Sequence, residues 1–382
     1  MKVLYVTHSP GIQGAGLALL NIVKGVIELG VEPVVVLPYE GPLVEKLQEL
    51  GVKCHLVMCY NTIYPRRKYL YDYPLYPYRL IRTLITNHRA IDRFRKIVKE
   101  EKPDIIHTNS GVVRFAAQVA KEEGIPHVWH VREFQSKDFF GAPLGGEKKV
   151  LELYNDPNNH CVAITKSVFE HFHLNSKKDC VIYDGVFPKD IVTPHCKKKE
   201  KRFLFVGSLQ KGKGIFDALE AFDAIAGQHP DYELWIAGKD YVNIEKLITN
   251  CKHSSQIKYL GFRSDIYQLM ADSTALLVPS YYEGFGFITA EAMLNKTLVI
   301  GRNVAGTKEQ FENGMQMHQK PIALSFCDMA SFTCILDDIC KSDSGKYDDY
   351  KERAYRTVME LYTVEKNSQL LLSLYNSIKY EQ

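Results

Sequence analysis

Ser280-Tyr-Tyr-Glu283-Gly-Phe-Gly-Phe-Ile-Thr-Ala-Glu291-Ala-Met-Leu294 is the stretch on which the reading of this chain turns. The apolar run Ala275-Leu-Leu-Val-Pro279 leads into it and Thr297-Leu-Val-Ile300 follows. Both runs are short and apolar, as buried strands of a parallel sheet are. Between them Gly284 and Gly286 permit a tight turn, and a helix is predicted over 288–294. A strand-to-helix turn of this kind points backbone N–H groups, at the positive end of the helix dipole, towards a place where an anion can sit. Glu283 and Glu291 bracket the turn. Two readings are open for them: Glu283 caps the helix and Glu291 pairs with a surface lysine, or both face a ligand.

Seven residues separate the two carboxylates, and E-G-F-G-F-I-T-A-E-A-M resembles the E-x7-E signature of GT4-type retaining glycosyltransferases. The resemblance is concentrated over 203–310 and continues more weakly through the first half. It implies an α/β protein of GT-B architecture, with two Rossmann-like domains facing across a cleft. On that basis 1–186 form an acceptor-side domain, 187–202 a linker and 203–363 a nucleotide-sugar-binding domain. The terminal helix, within 364–382, is expected to cross back onto the first domain.

Length and composition agree with this organisation. A chain of 382 residues exceeds the usual size of one domain, and its apolar and charged fractions are those of an ordinary globular protein. A net charge of +3 selects no class of partner. The nine cysteines show no C-x-x-C pair or metal-ligand spacing, and their odd number argues against a disulfide framework. They read as reduced, mostly buried residues of a cytoplasmic protein. Residues 1–6 look like a strand rather than a signal peptide, and no apolar run reaches membrane-spanning length.

In chain order, Lys2-Val-Leu-Tyr-Val-Thr7 is the first predicted strand. A loop with Gly11, Gly14 and Gly16 follows, then a helix over 17–29 that stops at Gly30. The spacing is not G-x-G-x-x-G. The family resemblance places a glycine pair here, lining the cleft near acceptor or donor phosphates; a tight turn alone is the alternative for Gly14 and Gly16. The alternation of strands and helices is then interrupted over 60–99. Tyrosines and prolines mix there with Arg66, Arg67 and Lys68, and Arg79, Arg82, Arg89, Arg93, Arg95, Lys96 and Lys99 follow against Asp92. A solvated helix face, an anionic membrane surface and a lipid-linked acceptor all fit such a segment, and no nucleic-acid motif accompanies it. Peripheral attachment to the inner face of the membrane therefore stays open. Further on, His127-Val-Trp-His130-Val131 is a predicted strand that delivers His130 and Arg132 to the carboxyl end of the sheet. His130 resembles the family histidine that approaches the donor sugar. Ala163-Ile-Thr165-Lys-Ser167 and Val181-Ile-Tyr-Asp184-Gly-Val186 resemble two more landmarks, with Asp184 where the family usually carries Asn.

The second half opens on Phe203-Leu-Phe-Val-Gly207-Ser208-Leu-Gln-Lys211-Gly-Lys213-Gly214, a strand, a glycine turn and a basic residue before a helix. Backbone amides and an ammonium in that order suit a phosphate ester, although the Walker A spacing is absent. The family has Arg where Ser208 stands, Lys213 matches its lysine, and Lys211 is a candidate substitute for the missing charge. Phe262 and Arg263 resemble the segment beside the nucleobase, and Gly284, Phe285 and Gly286 the turn at the donor phosphates. Gly306-Thr307-Lys-Glu309 resembles a further element near the donor. The resemblance assigns Glu283 to the donor-sugar hydroxyls and Glu291 to the ribose diol. It implies a UDP- or GDP-linked donor and a glycan or lipid-linked acceptor, with no bound cofactor. No Asp-x-Asp motif is present, so a metal-free route is expected, with His130, Glu283 and Lys213 as the catalytic set. A nucleotide-sugar epimerase of the same fold and a silent binding subunit are the rival readings.

Overall fold

The computed structural model describes residues 1–65, 72–136, 141–194, 200–343 and 345–380. The chain divides into two units, Met1–Pro188 with Thr363–Gln382, and Lys189–Tyr362.

In the first unit the apolar runs form β1 (Lys2–Val6), β2 (Glu32–Leu37), β3 (Lys53–Leu56), β4 (Ile63–Pro65), β5 (Ile105–Thr108), β6 (His127–Val131), β7 (Gly141–Pro143), β8 (Asn159–Ala163) and β9 (Cys180–Val181). Seven of them make a parallel sheet in the order β3-β2-β1-β5-β6-β8-β9, and β4 pairs with β7 in a separate antiparallel ribbon. Neighbouring residues of a strand point to opposite faces, and here both faces are apolar. Val3, Tyr5 and Val35 enter one core, while Leu4, Val6, Val34 and Val36 enter the other. Helices must cover both faces, which is why the strands read as continuous apolar runs.

The second unit repeats the plan with β10 (Glu200–Val206), β11 (Glu233–Ala237), β12 (Ile257–Tyr259), β13 (Ser273–Val278), β14 (Leu298–Arg302) and β15 (Leu324–Phe326). All pair in parallel, in the order β12-β11-β10-β13-β14-β15. Strand order reverses between β1 and β5 in the first sheet and between β10 and β13 in the second. Loops leaving such a reversal splay apart and open a crevice at the carboxyl edge.

The terminal helix Val364–Tyr380 lies in the first unit, where Leu371, Tyr375 and Ile378 join the core beside Val3 and Tyr5. Asn21 donates to the carbonyls of Gly185 and Val186, and Asn367 to that of Tyr183, which ties this helix and the first helix to one segment.

Three expectations need correction. The expected linker 187–202 is shortened at both ends, because Phe187 bridges to Thr363 and β10 begins at Glu200; 195–199 lie outside the described residues. The segment 60–99, expected to interrupt the alternation of strands and helices, holds instead a helix from Asp72 to Glu101, with Pro77 inside it. Pro74 lies in the opening turn, where N–H groups have no intrahelical partner, whereas Pro77, the sixth residue, forgoes one helical hydrogen bond. The described cysteines are all free, but only Cys59 and Cys161 are buried.

Candidate active site

In the second unit the chain leaves β10 at Gly207, makes one turn over Lys211–Lys213 and enters the helix Ile215–Ala226 through Gly214. Gly214 has φ +75°, and a Cβ there would meet the Pro279 carbonyl oxygen at 2.2 Å. Only glycine lets this turn approach the end of β13 so closely. The approach delivers Lys213 to the stretch quoted above. Its Nζ donates to both Glu283 oxygens, at 3.0 and 2.8 Å. Two expected site residues, 70 positions apart, are thus one ion pair.

Gly286 starts the helix Phe287–Leu294 in the left-handed region, and no side chain caps it. Glu283 is therefore not a cap, and the first-turn N–H groups have no capping oxygen. The loop is braced from the helix Ala305–His318. Gly306 N–H donates to the Glu283 carbonyl at 2.9 Å, and Gln310 Nε2 to the carbonyls of Phe285 (2.7 Å) and Gly286 (3.1 Å). Phe285 contributes its backbone alone, because its ring is buried against Phe287 and Tyr362.

Glu291 is not paired with a lysine. Among the described residues its carboxylate has neither ion pair nor hydrogen bond, and burial pushes its pKa up to about 7. The same burial, and then the charge of Glu291, push the Tyr267 phenol upwards. A carboxylate buried without a donor is costly, and a ligand hydroxyl would remove that cost.

Ser208 is half-buried after Gly207, and Lys211 is exposed without a carboxylate partner among the described residues. Phe262 is exposed beyond β12, and Arg263 is paired with Asp265. Gly207, Ser208, Phe262 and the turn 284–286 all follow the carboxyl ends of strands of one sheet. Arg302, Asp217 and Tyr281 were missed by sequence reasoning. Arg302 pairs with Asp217, donates to the Pro279 carbonyl at 3.1 Å and lies 4.4 Å from the Tyr281 ring centre. Tyr281 in turn donates to Asp217 at 3.1 Å. No local motif marks this brace, since its members come from a helix, a loop and a strand far apart in the chain.

In the first unit Gly14 has φ +51°, and a Cβ on Gly16 would lie 1.8 Å from the Gly11 carbonyl oxygen. Asn109, at the end of β5, donates to the Ala15 carbonyl at 2.8 Å. His130 is fully buried; its Nδ1 faces His107 Nε2 at 3.2 Å and Arg132 Nη2 at 3.3 Å. Its Nε2 has no hydrogen-bond partner among the described residues. Arg132, expected on the acceptor side, is instead a buried structural cation. It donates to Asp184 at 2.6 Å and to Asn109 at 3.0 Å. Asp184, the departure from the family pattern, is its counter-charge.

Among the described residues the one grouping with metal-ligand geometry is His55, Glu100 and Glu101, in the first unit. Lys53 and Lys2 neutralise its carboxylates. Within 64–99, Arg66, Arg67 and Lys68 lie outside the described residues. The first half of the helix Asp72–Glu101 exposes Leu75, Tyr78, Ile81, Leu84 and Ile85, whereas Ala90, Phe94 and Val98 enter the core. No described helix is long and apolar enough to cross a membrane.

Residues 13–176 match the glycosyl transferase 4-like domain, and residues 187–357 match the glycosyl transferases group 1 family. The chain belongs to the GT4 family of glycosyltransferases. Among curated relatives of this GT4 chain, the N-acetyl-alpha-D-glucosaminyl L-malate synthase of Bacillus anthracis is 22% identical over 364 residues, covering 88% of this chain and 91% of the relative. The serotype-specific mannosyltransferase WbdA of Escherichia coli is 34% identical, but over only 28% of this chain and 14% of its own length. Among solved structures, Anabaena Alr3699/HepE in complex with UDP superposes with a TM-score of 0.79 at 19% identity, covering 99% of this chain and 100% of that one. Its complex with UDP-glucose gives 0.77 at 18% identity and the same coverage. These superpositions establish the GT-B fold.

Proposed function

We propose that this GT4 chain moves a sugar from a UDP- or GDP-linked donor to a glycan or lipid-linked acceptor. The transfer retains configuration, uses no metal ion and serves cell-surface polysaccharide assembly. The observation that carries the reading is the Lys213–Glu283 pair beside an uncapped helix start, with the unpartnered Glu291 on the same helix.

A donor diphosphate entering this edge draws the Lys213 ammonium to itself and meets the helix-start N–H groups. Glu283, released from Lys213, then accepts from sugar hydroxyls, and Glu291 accepts from the ribose diol. As the glycosidic bond breaks, charge grows on the leaving phosphate, where Lys213 and the helix dipole are already aimed. No carboxylate is assigned as a nucleophile; the leaving phosphate takes the proton of the acceptor hydroxyl. The Anabaena complexes with UDP and UDP-glucose support a uridine donor.

The test is turnover of UDP- and GDP-sugars with lipid-linked and soluble acceptors. Free nucleotide is expected only when acceptor is present, and its release is expected to survive EDTA. Conversion of the donor without acceptor points to an epimerase, and no turnover at all to a silent subunit. Complete loss with EDTA, restored by magnesium or manganese, overturns the metal-free route.

The exposed apolar side chains of the helix Asp72–Glu101 favour a second element of this reading, docking on anionic lipid. Leu75, Tyr78, Ile81, Leu84 and Ile85 stand exposed together with Arg82 and Arg89, a combination suited to a headgroup layer.

A further inference from the structure

The unpartnered Nε2 of His130 lies at the end of a buried polar chain that the terminal helix completes. Tyr5 and Tyr375 hydroxyls are 3.2 Å apart, the Tyr375 hydroxyl is 2.5 Å from His107 Nδ1, and His107 Nε2 is 3.2 Å from His130 Nδ1. Tyr5, His107, His130 and Tyr375 are all fully buried.

Donor and acceptor chemistry leaves one arrangement of protons. The Arg132 guanidinium can only donate, so His130 Nδ1, 3.3 Å from it, must carry the lone pair. His107 Nε2 faces that same lone pair and must carry a proton. His107 Nδ1 is then an acceptor, filled by the Tyr375 hydroxyl, whose oxygen accepts from Tyr5. Two donors share one lone pair on His130, which accounts for the two long contacts. Burial, and next the Arg132 charge, hold both imidazoles well below the usual histidine range, so neither takes a second proton at neutral pH. What remains is a His130 Nε2–H with no acceptor among the described residues, and buried N–H groups are rarely left so.

We propose that His107 and Tyr375 are positioning residues that hold His130 as a neutral imidazole protonated on Nε2, a hydrogen-bond donor to a substrate oxygen and not a base. This rests on the reading of His130 as a substrate contact. It makes the terminal helix, through Tyr375, part of the reaction machinery in addition to its packing role.

The experiment combines nitrogen-15 NMR of histidine-labelled protein with kinetics. Both rings are expected as Nε2–H tautomers at neutral pH, a readout that needs no activity. Tyr375→Phe, checked for an unchanged melting temperature, is expected to shift the His107 signals and to lower kcat about tenfold while donor KM holds. His107→Gln, whose amide N–H replaces Nε2–H, is expected to retain turnover where His107→Leu does not. In a His130→Ala background Tyr375→Phe should have no further effect on kcat. A proton on Nδ1 of His130, or a Tyr375 effect that adds in full to that of His130→Ala, overturns the proposal. His130→Ala with undiminished turnover also overturns it, because the Nε2–H then serves only a buried water. Chemistry of another kind, with the tautomers as expected, would instead refute the transferase reading.

Discussion

Replacing Glu291 by glutamine removes a charge that burial makes costly, and the consequences for stability and binding run in opposite directions. The carboxyl of Glu291 is raised from 4.5 to about 7 in the folded protein. Between those two values the folded state holds a proton that the unfolded state has lost. Stability therefore falls as pH rises through this window, and the loss is complete only above pH 7. At about 1.4 kcal/mol per unit the ionised carboxylate costs roughly 3 kcal/mol. Glutamine keeps the shape and has no charge. The stability difference between Glu291→Gln and the parent should be near zero at pH 4.5 and about 3 kcal/mol in favour of the variant at pH 8. That corresponds to roughly 6–12 °C in the melting of a unit of this size. Nucleoside-diphosphate affinity should move the other way, since a charge-assisted hydrogen bond to the ribose is lost; about tenfold to a hundredfold is expected by calorimetry. The parent itself should bind nucleotide more tightly at pH 8 than at pH 6. A variant with no pH-dependent gain in stability refutes the burial argument, and one with parental nucleotide affinity refutes the ribose assignment.

Glu283→Gln frees Lys213 from its carboxylate, so nucleotide affinity should hold or rise while turnover drops by about a hundredfold or more; a loss of affinity equal to that of Glu291→Gln would end this division of labour. Gly214→Ala forces a Cβ into the Pro279 carbonyl at positive φ, and a loss of more than about 2 kcal/mol by denaturant unfolding is expected, with weakened diphosphate binding. Asp184→Asn restores the family residue but takes from the buried Arg132 guanidinium the carboxylate it donates to, which should cost about 3–5 kcal/mol; a change under about 1 kcal/mol contradicts the pairing. Replacing Tyr78, Ile81 and Leu84 together by serine should abolish co-sedimentation with anionic vesicles, and unchanged binding removes this helix face from the lipid reading.

What could be read without coordinates was local. Continuous apolar runs gave the strands because both faces of each sheet are covered, as Val3 and Leu4 show by entering opposite cores. Glycines at 14, 16, 214 and 286 marked tight loops because their backbone geometry or closeness tolerates no other residue. The E-x7-E stretch carried the family resemblance, and with it the expectation of a donor site, because its residues are packed into one strand-turn-helix unit. The start of the helix Asp72–Glu101 was hidden by Pro74 and Pro77, which argue against a helix locally and of which only the first lies in the opening turn.

By itself, then, the amino-acid order determined the βα alternation, the doubling of the plan and the residue types at the carboxyl edge of the second sheet. Only the tertiary structure decided which of those residues are partners. Lys213 and Glu283 meet because strand order reverses between β10 and β13. Arg132 is withdrawn from the acceptor side by Asp184, 52 residues on, and His107 is bound by Tyr375, 268 residues on. Propensity and periodicity depend on neighbours along the chain, so they survive in the sequence. A buried charge or N–H must find its partner wherever the folded core places one, and that choice is made in space.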